Sequence, residues 1–387
     1  MPTAIPLSPR ARALAARRPV FDAHVDSLQR QLDLGHDLGV RTSGHLDLVR
    51  GRDGGLGSMV FVNWVDPKYI APELGGARAR TARLLGAFHQ LLGAHPEELA
   101  FAGNPAQMRA AHERGLLAGI PGIEGGHSLE ESLDHLHWFF EHGVRVLTLV
   151  WNNHLSWIRS CQPDAGAAIP EGLSAFGRSV VRAMNELGVL VDLSHAGERS
   201  FFDALEASSR PVIASHSGCQ ALHAHPRNLN DAQLRALAAN GGVVGIVFCV
   251  PFLSAAGSAE DARWRDSAGY RELAGANDTE LFLRRGEYLQ EKAEPLPLDV
   301  VVDHVLHAAE VAGIEHVGLG SDFDGILRTP QGLEDASCYV NLIERLLARG
   351  LGEEDVLKVC GGNMERVFSA ATGPGTRAHT ARLLALD

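Results

Sequence analysis

The chain lacks the features that mark several classes of protein. Cysteine is scarce: Cys161, Cys219, Cys249, Cys338 and Cys360 are the only five in 387 residues, and no Cys-x-x-Cys occurs. That pattern gives no disulfide framework, points to a reducing compartment, and makes the thiols small apolar residues rather than ligands. No apolar run is long enough to span a bilayer, and the N-terminal "MPTAIPLSPRARALAARRPV" is basic without the continuous apolar core of a signal peptide. The C-terminal "ARLLALD" carries no lipid-anchor signal, so a cytoplasmic protein without a membrane partner is expected. An excess of positive charge is missing too: 35 Lys and Arg stand against 47 Asp and Glu, a net charge of −12. A nucleic-acid partner is therefore disfavoured, while soluble enzymes commonly carry such a balance.

What is present is a large apolar fraction, 45%, with 21% charged residues, enough for a substantial core. Eight short β-branched runs recur, at 20–24, 59–65, 118–124, 144–150, 188–195, 211–216, 243–248 and 316–321. Helical periodicity separates them at 77–92, 129–141, 174–187, 198–205, 231–239 and 298–312, and "YVNLIERLLARG" and "EEDVLKVCGGNMERVF" supply the last helices. This alternation predicts a mostly parallel sheet, and eight strands close a (β/α)8 barrel. We read 1–387 as one α/β domain of the TIM-barrel type. It has an N-terminal extension at about 1–18 and an elaborated loop plus helix at about 253–297.

In such barrels the active site forms at the carboxyl ends of the strands. The first run closes on His24 and Asp26 of "VFDAHVDSL", the third on Glu124 of "GIEGGHS", the fifth on His195 of "VDLSH", the sixth on His216 of "IASHS" and the eighth on Asp322 of "GSDFDG". Residues i and i+2 of an extended chain point the same way, so His24 and Asp26 converge. An isolated His-x-Asp is usually a hydrogen-bonded polar pair, but ligand or acid/base types at five strand ends form a constellation. Imidazole and carboxylate without thiolate suit zinc or a neighbouring divalent metal. Five ligands exceed what one zinc with an open position uses. The simplest allocation is two ions, with His24 and Asp26 on one, His195 and His216 on the other, and Glu124 bridging. Two ions ~3.5–4 Å apart share a hydroxide of near-neutral pKa and polarise the carbonyl it attacks, which is a hydrolase design. Asp322 is then free to take a proton during attack and return it to a leaving amine, whereas Asp324 belongs to the turn itself.

The stretches "DAHVDS", "GIEGGHSLEESL", "VDLSH", "PVIASHSGCQALHAHPRNLNDAQLRALAANGGVVGIVF", "HVGLGSDFDGI" and "GGNMERVF" resemble, in order, the membrane (renal) dipeptidase family of zinc peptidases in the amidohydrolase superfamily. The resemblance implies a metal-dependent hydrolase barrel with two zinc ions held by His24, Asp26, Glu124, His195 and His216. It also implies Asp322 as the proton-handling residue. It adds a substrate class, free dipeptides, often with a D-residue at the carboxyl end, and suggests a homodimer. Arg227 of "HPRNL" would bind the substrate carboxylate, a task that a guanidinium fork suits. Where animal members have a histidine after the fourth strand, this chain has Trp151 in "LTLVWNNHLSW". Asn152 or His154 is the candidate replacement donor beside Trp151. His45 and His127 are expected to make supporting hydrogen bonds, and His223 and His225 to lie near the rim by Arg227. The alternative chemistry on the same metals is hydrolysis of an N-acyl amino acid or lactone, or deamination. A non-catalytic protein is disfavoured because every ligand type is kept together with Asp322.

Overall fold

The structure, a computed structural model, describes residues 5–373 apart from Arg18 and residues 164–168. The tail "ARLLALD" and the first residues of the expected extension lie outside the described residues. Nine parallel strands form one sheet: β1 (Val20–Val25), β2 (Leu56–Trp64), β3 (Leu99–Phe101), β4 (Leu117–Glu124), β5 (Val146–Thr148), β6 (Leu190–Asp192), β7 (Ile213–Ser217), β8 (Val243–Ile246) and β9 (Val317–Leu319). Eight follow in the order β2-β1-β9-β8-β7-β6-β5-β4, and β2 pairs with β4 from Ser58↔Ala118 to Trp64↔Glu124, which closes the ring. The (β/α)8 barrel expected from the eight apolar runs is thus present. The ninth strand, β3, lies along the first part of β4, which β5 joins only from Gly122 onward. Its three residues are too few to carry a period of two, so the sequence pattern does not reveal it.

Helices cover the outside close to the predicted stretches: Ala77–Ala94, Leu133–Glu141, Ala175–Leu187, Glu198–Ala207, Asp231–Ala239, Asp299–Ala312 and Tyr339–Ala348. Polar caps set several starts. Ser132, Ser174 and Asn230 each accept the backbone N–H three residues on, which satisfies a donor the helix leaves bare. The predicted 129–141 helix begins later than its pattern, at Leu133, because Gly126–Leu129 forms a separate 3-10 turn. Within the described part of the extension, Pro9–Arg17 is a helix that buries Ala11 and Leu14, and Ser8 Oγ donates to Glu344 (2.7 Å). The stretch at 253–297 is richer than a loop plus helix, with Ala255–Arg265, Ala268–Arg271 and Asp278–Lys292 following the short Val250–Leu253. It is fastened to the barrel mouth where Thr279 Oγ1 donates to Asp33 Oδ2 (2.7 Å) and Lys68 pairs with Asp278.

Alternate strand positions, including Phe21, Ala23, Val60, Val62, Ala118 and Ile120, form a cluster with Met364, Val367 and Phe368 of the last helix, Asn363–Thr372. That helix plugs the amino-terminal end of the barrel, and each large apolar side chain buried there stabilises by roughly 1.5–3 kcal/mol. The opposite, carboxyl end carries the polar residues. Among the described residues no helix is long and apolar enough to cross a membrane.

Candidate metal centre and active site

The strand ends that bear the candidate ligands depart from regular geometry. β1 shifts register between Asp22 and Val25, and β7 between Ala214 and Ser217, so His24 and His216 both fall where pairing is irregular. Such irregularities re-aim side chains. His195 and Asp322 follow their strands with φ of 67° and 62°, a left-handed conformation that costs a non-glycine residue on the order of 1–3 kcal/mol and recurs at functional sites.

Two buried aspartates hold these distortions in place. Asp22 Oδ1 accepts the N–H groups of His24 (3.0 Å) and Ser321 (2.9 Å), and Oδ2 accepts Ser321 Oγ (2.5 Å) and the Tyr339 hydroxyl. Asp192 Oδ1 accepts the N–H groups of Ser194 (3.0 Å) and Ser215 (2.8 Å), and Oδ2 accepts Thr148 Oγ1 (2.5 Å) and Ser215 Oγ (2.6 Å). Both sit inside the apolar runs rather than at their ends, so the strand-end pattern does not reveal them. Their signal was an aspartate within a strand, two or three residues before a histidine.

The structure brings His24, Asp26, Glu124, His195, His216 and Asp322 into one buried cluster. His24 Nε2 is 3.3 Å from Asp26 Oδ2, 3.7 Å from Glu124 Oε2 and 4.0 Å from Asp322 Oδ1. Glu124 Oε1 faces the other pair, 2.8 Å from His195 Nε2 and 3.3 Å from His216 Nε2. One carboxylate thus offers an oxygen to each half of the cluster. Gly325 permits the crowding, since a Cβ there would run into Asp26 Oδ2 and Asp322 Oδ1.

These residues fit divalent cations. His24 Nε2, Asp26 Oδ1 and Glu124 Oε1 are buried without a hydrogen-bond partner, a costly state unless something else binds them. Ser215 Oγ gives its single proton to Asp192, so it can only accept from His216 Nδ1 (2.8 Å), which leaves a lone pair on His216 Nε2. His195 Nδ1 meets Asn152 Oδ1 at 3.0 Å, which leaves a lone pair on His195 Nε2 as well. The two Nε2 atoms lie 3.0 Å apart, and two lone pairs that close call for a cation between them.

The charge balance agrees. Burial, with the Arg227 charge, brings His195 down to about 4, and burial holds His216 well below its ordinary value, so both stay in the neutral, ligating form at pH 7. Burial also opposes charge on His24, but Glu124 and Asp26 outweigh it and pull His24 well above its ordinary value. The cluster therefore recruits positive charge. Burial pushes Asp322 well above the usual carboxylate range; Asp26 and Glu124 add to this, while His24 pulls against it.

The cluster opens into a cavity of about 710 Å³ whose wall includes Trp151, Asn152, Arg227 and Asp322. Arg227 is buried, donates from Nη2 to His216 O (3.2 Å), lies over the Phe252 ring at 5.4 Å, and leaves Nε without a partner. Trp151 packs beside Trp64, with ring centroids 5.1 Å apart, and forms an apolar wall. His154 does not line that cavity: its Nδ1 accepts the Ser160 N–H (3.1 Å), and its buried Nε2 has no hydrogen-bond partner. The oxygen of Asn152 is likewise engaged, by His195 and by Gln162 Nε2 (2.9 Å). His45 Nδ1 accepts the Asp324 N–H (3.0 Å), and His127 Nε2 meets Val65 O (2.8 Å), as supporting histidines would. His225 lines the cavity and stacks on Phe252 at 4.4 Å, whereas His223 stands back from it. Asp324 accepts Ser27 Oγ (2.5 Å), Arg30 Nη2 (2.7 Å) and the His45 N–H (2.6 Å), and so serves the turn and its surroundings.

A barrel with such a cluster at its carboxyl end defines a metallohydrolase, and comparison with known proteins supplies the family. Residues 8–381 match the membrane dipeptidase family, peptidase family M19, and the chain belongs to it. An uncharacterized dipeptidase of Schizosaccharomyces pombe is 31% identical over 375 residues, 93% of this chain and 82% of that one. A probable dipeptidase of Pseudomonas aeruginosa, 24% identical, shares the fold with a TM-score of 0.80 over 94% of this chain and 99% of its own. A metallopeptidase of Rhodobacter sphaeroides, solved with a phosphinate mimic of the dipeptide L-Ala-D-Ala, is 27% identical, with a TM-score of 0.75 over 92% of this chain and 99% of its own.

Proposed function

We propose that this chain hydrolyses free dipeptides, including those with a D-residue at the carboxyl end, at a centre of two zinc ions. The observation that carries the proposal is the convergence of unpartnered donor atoms from His24, Asp26 and Glu124 on the lone pairs of His195 and His216, beside a buried arginine in one cavity. His24 and Asp26 would hold one ion, His195 and His216 the other, and Glu124 would give one oxygen to each. When bound, such ions lower the pKa of water toward neutrality and polarise a carbonyl.

The remaining steps belong to the protein. Arg227, which lines the cavity, pairs with the terminal carboxylate and so fixes the distance from that carboxylate to the scissile bond. Burial suits Asp322 to hold a proton on its carboxyl and deliver it to the departing amine nitrogen. Trp64 and Trp151 keep that side of the cavity dry. Acceptance of a D-residue at the carboxyl end is supported by the Rhodobacter sphaeroides relative, whose ligand mimics L-Ala-D-Ala.

The test is amine release from a panel of L,L- and L,D-dipeptides beside their N-acetylated forms, before and after chelation and zinc restoration. Zinc-dependent cleavage confined to free dipeptides is expected. A fully metallated protein that spares dipeptides yet cleaves N-acyl amino acids or lactones would overturn the substrate class.

A further inference from the structure

Asn152 stands next to Trp151, and the sequence suggests it as a donor to substrate. Its contacts point elsewhere. Its side-chain oxygen accepts two hydrogen bonds, from His195 Nδ1 (3.0 Å) and from Gln162 Nε2 (2.9 Å). The segment carrying Gln162 is in turn fastened to His195: Cys161 N–H donates to His195 O (2.7 Å), and Ser160 bridges to Ala196. Ser160 Oγ donates back to Asn152 O (3.1 Å). Asn152, residues 160–162 and His195 therefore form a closed ring of contacts around a histidine whose backbone is already in the left-handed region at φ 67°.

We infer that Asn152, steadied by Gln162, is a positioning residue that fixes the ligating tautomer of His195 and so sets the affinity of the His195–His216 half of the centre. This rests on the metal-centre reading proposed above. The competing tautomer has a ready acceptor. If the ring proton sat on Nε2, His216 Nε2 would lie 3.0 Å away to receive it, and the lone pair needed for an ion would be gone. An acceptor at Nδ1 keeps the proton on the far nitrogen. His216 has the same protection by a different route, through Ser215 to the carboxylate of Asp192. One histidine is thus steadied by a buried charge inside the barrel and its partner by neutral amides on the mouth loops.

The experiment is a titration of the metal-free full-length chain with Co²⁺, following both stoichiometry and the visible absorption of bound cobalt. Wild type should take up two ions in two steps. Asn152→Ala should weaken one step about 10–100-fold and shift the absorption of that ion, leaving the other step unchanged. Asn152→Asp keeps an acceptor and should restore the wild-type step, while Gln162→Ala should give a smaller loss in the same step. Circular dichroism establishes that each variant is folded. An Asn152→Ala protein that titrates as wild type in both steps would overturn the inference alone. So would folded Asn152→Ala and Asn152→Asp proteins weakened equally. A wild-type chain that binds no Co²⁺ would overturn the metal-centre reading and this inference with it.

Discussion

The two ends of the barrel are built on opposite principles. At the amino-terminal end, strand residues at alternate positions meet Met364, Val367 and Phe368 in an apolar plug. At the carboxyl end, strands slip register at His24 and His216, and the backbone turns left-handed at His195 and Asp322. The first end gains from apolar packing, which is non-directional, needs only the right face inward and tolerates the register shift at Val20 and Phe21. The second must aim six polar side chains at one small volume, which a regular pleat does not do, so it departs from the pleat and is pinned by Asp22 and Asp192. Non-directional apolar packing therefore dominates one end, and directed polar contacts dominate the other.

Substitutions should separate the two. The largest effect is expected from Asp322→Asn, which removes the proton carrier while preserving shape: turnover should fall roughly 10²–10⁴-fold, with metal content and thermal stability near wild type. Near-wild-type turnover in steady-state assays would remove Asp322 from the reaction. At the plug, Phe368→Ala should cost roughly 3–5 kcal/mol in denaturant unfolding, with turnover per folded molecule unchanged. A loss of metal from that variant would show that the two ends are not independent.

A smaller effect sharpens the contrast through pH. Asp324 is buried, yet the Arg30 guanidinium, with the neighbouring His45, holds its carboxyl below the usual range. A depressed folded pKa means that the contribution is present above the unfolded value, about 3.9, and is lost as pH falls through the folded one. Asp324→Asn should thus lower stability at pH 7 by roughly 1.5–3 kcal/mol, and acid unfolding curves of the variant and wild type should begin to approach each other only below about pH 4 and meet below the lowered folded value. A gap that stays constant with pH would assign the loss to packing rather than charge.

What could be read from sequence follows the same division. The eight barrel strands were legible because each is an apolar, β-branched run, and the cluster residues were legible because they close those runs. β3 was not, since "LAF" is too short to show a period. The short helices Leu28–Leu34 and Leu48–Asp53 were also unread, since a turn or two of helix shows little periodicity of its own. Asp22 and Asp192 were hidden by position rather than type, because a carboxylate inside a strand reveals its role only when the neighbouring strand's hydroxyls and N–H groups are seen around it. The task of Asn152 was hidden by distance: its partner Gln162 is ten residues away and His195 forty-three, and no local pattern links them.

The central claim is that the carboxyl end of the barrel holds two metal ions that share Glu124. Crystals of the zinc-loaded protein, measured on both sides of the zinc absorption edge, test it most directly. The account predicts two anomalous peaks, one between Glu124 Oε1, His195 and His216 and one between Glu124 Oε2, His24 and Asp26. A single peak, or zinc bound away from Glu124, would contradict it.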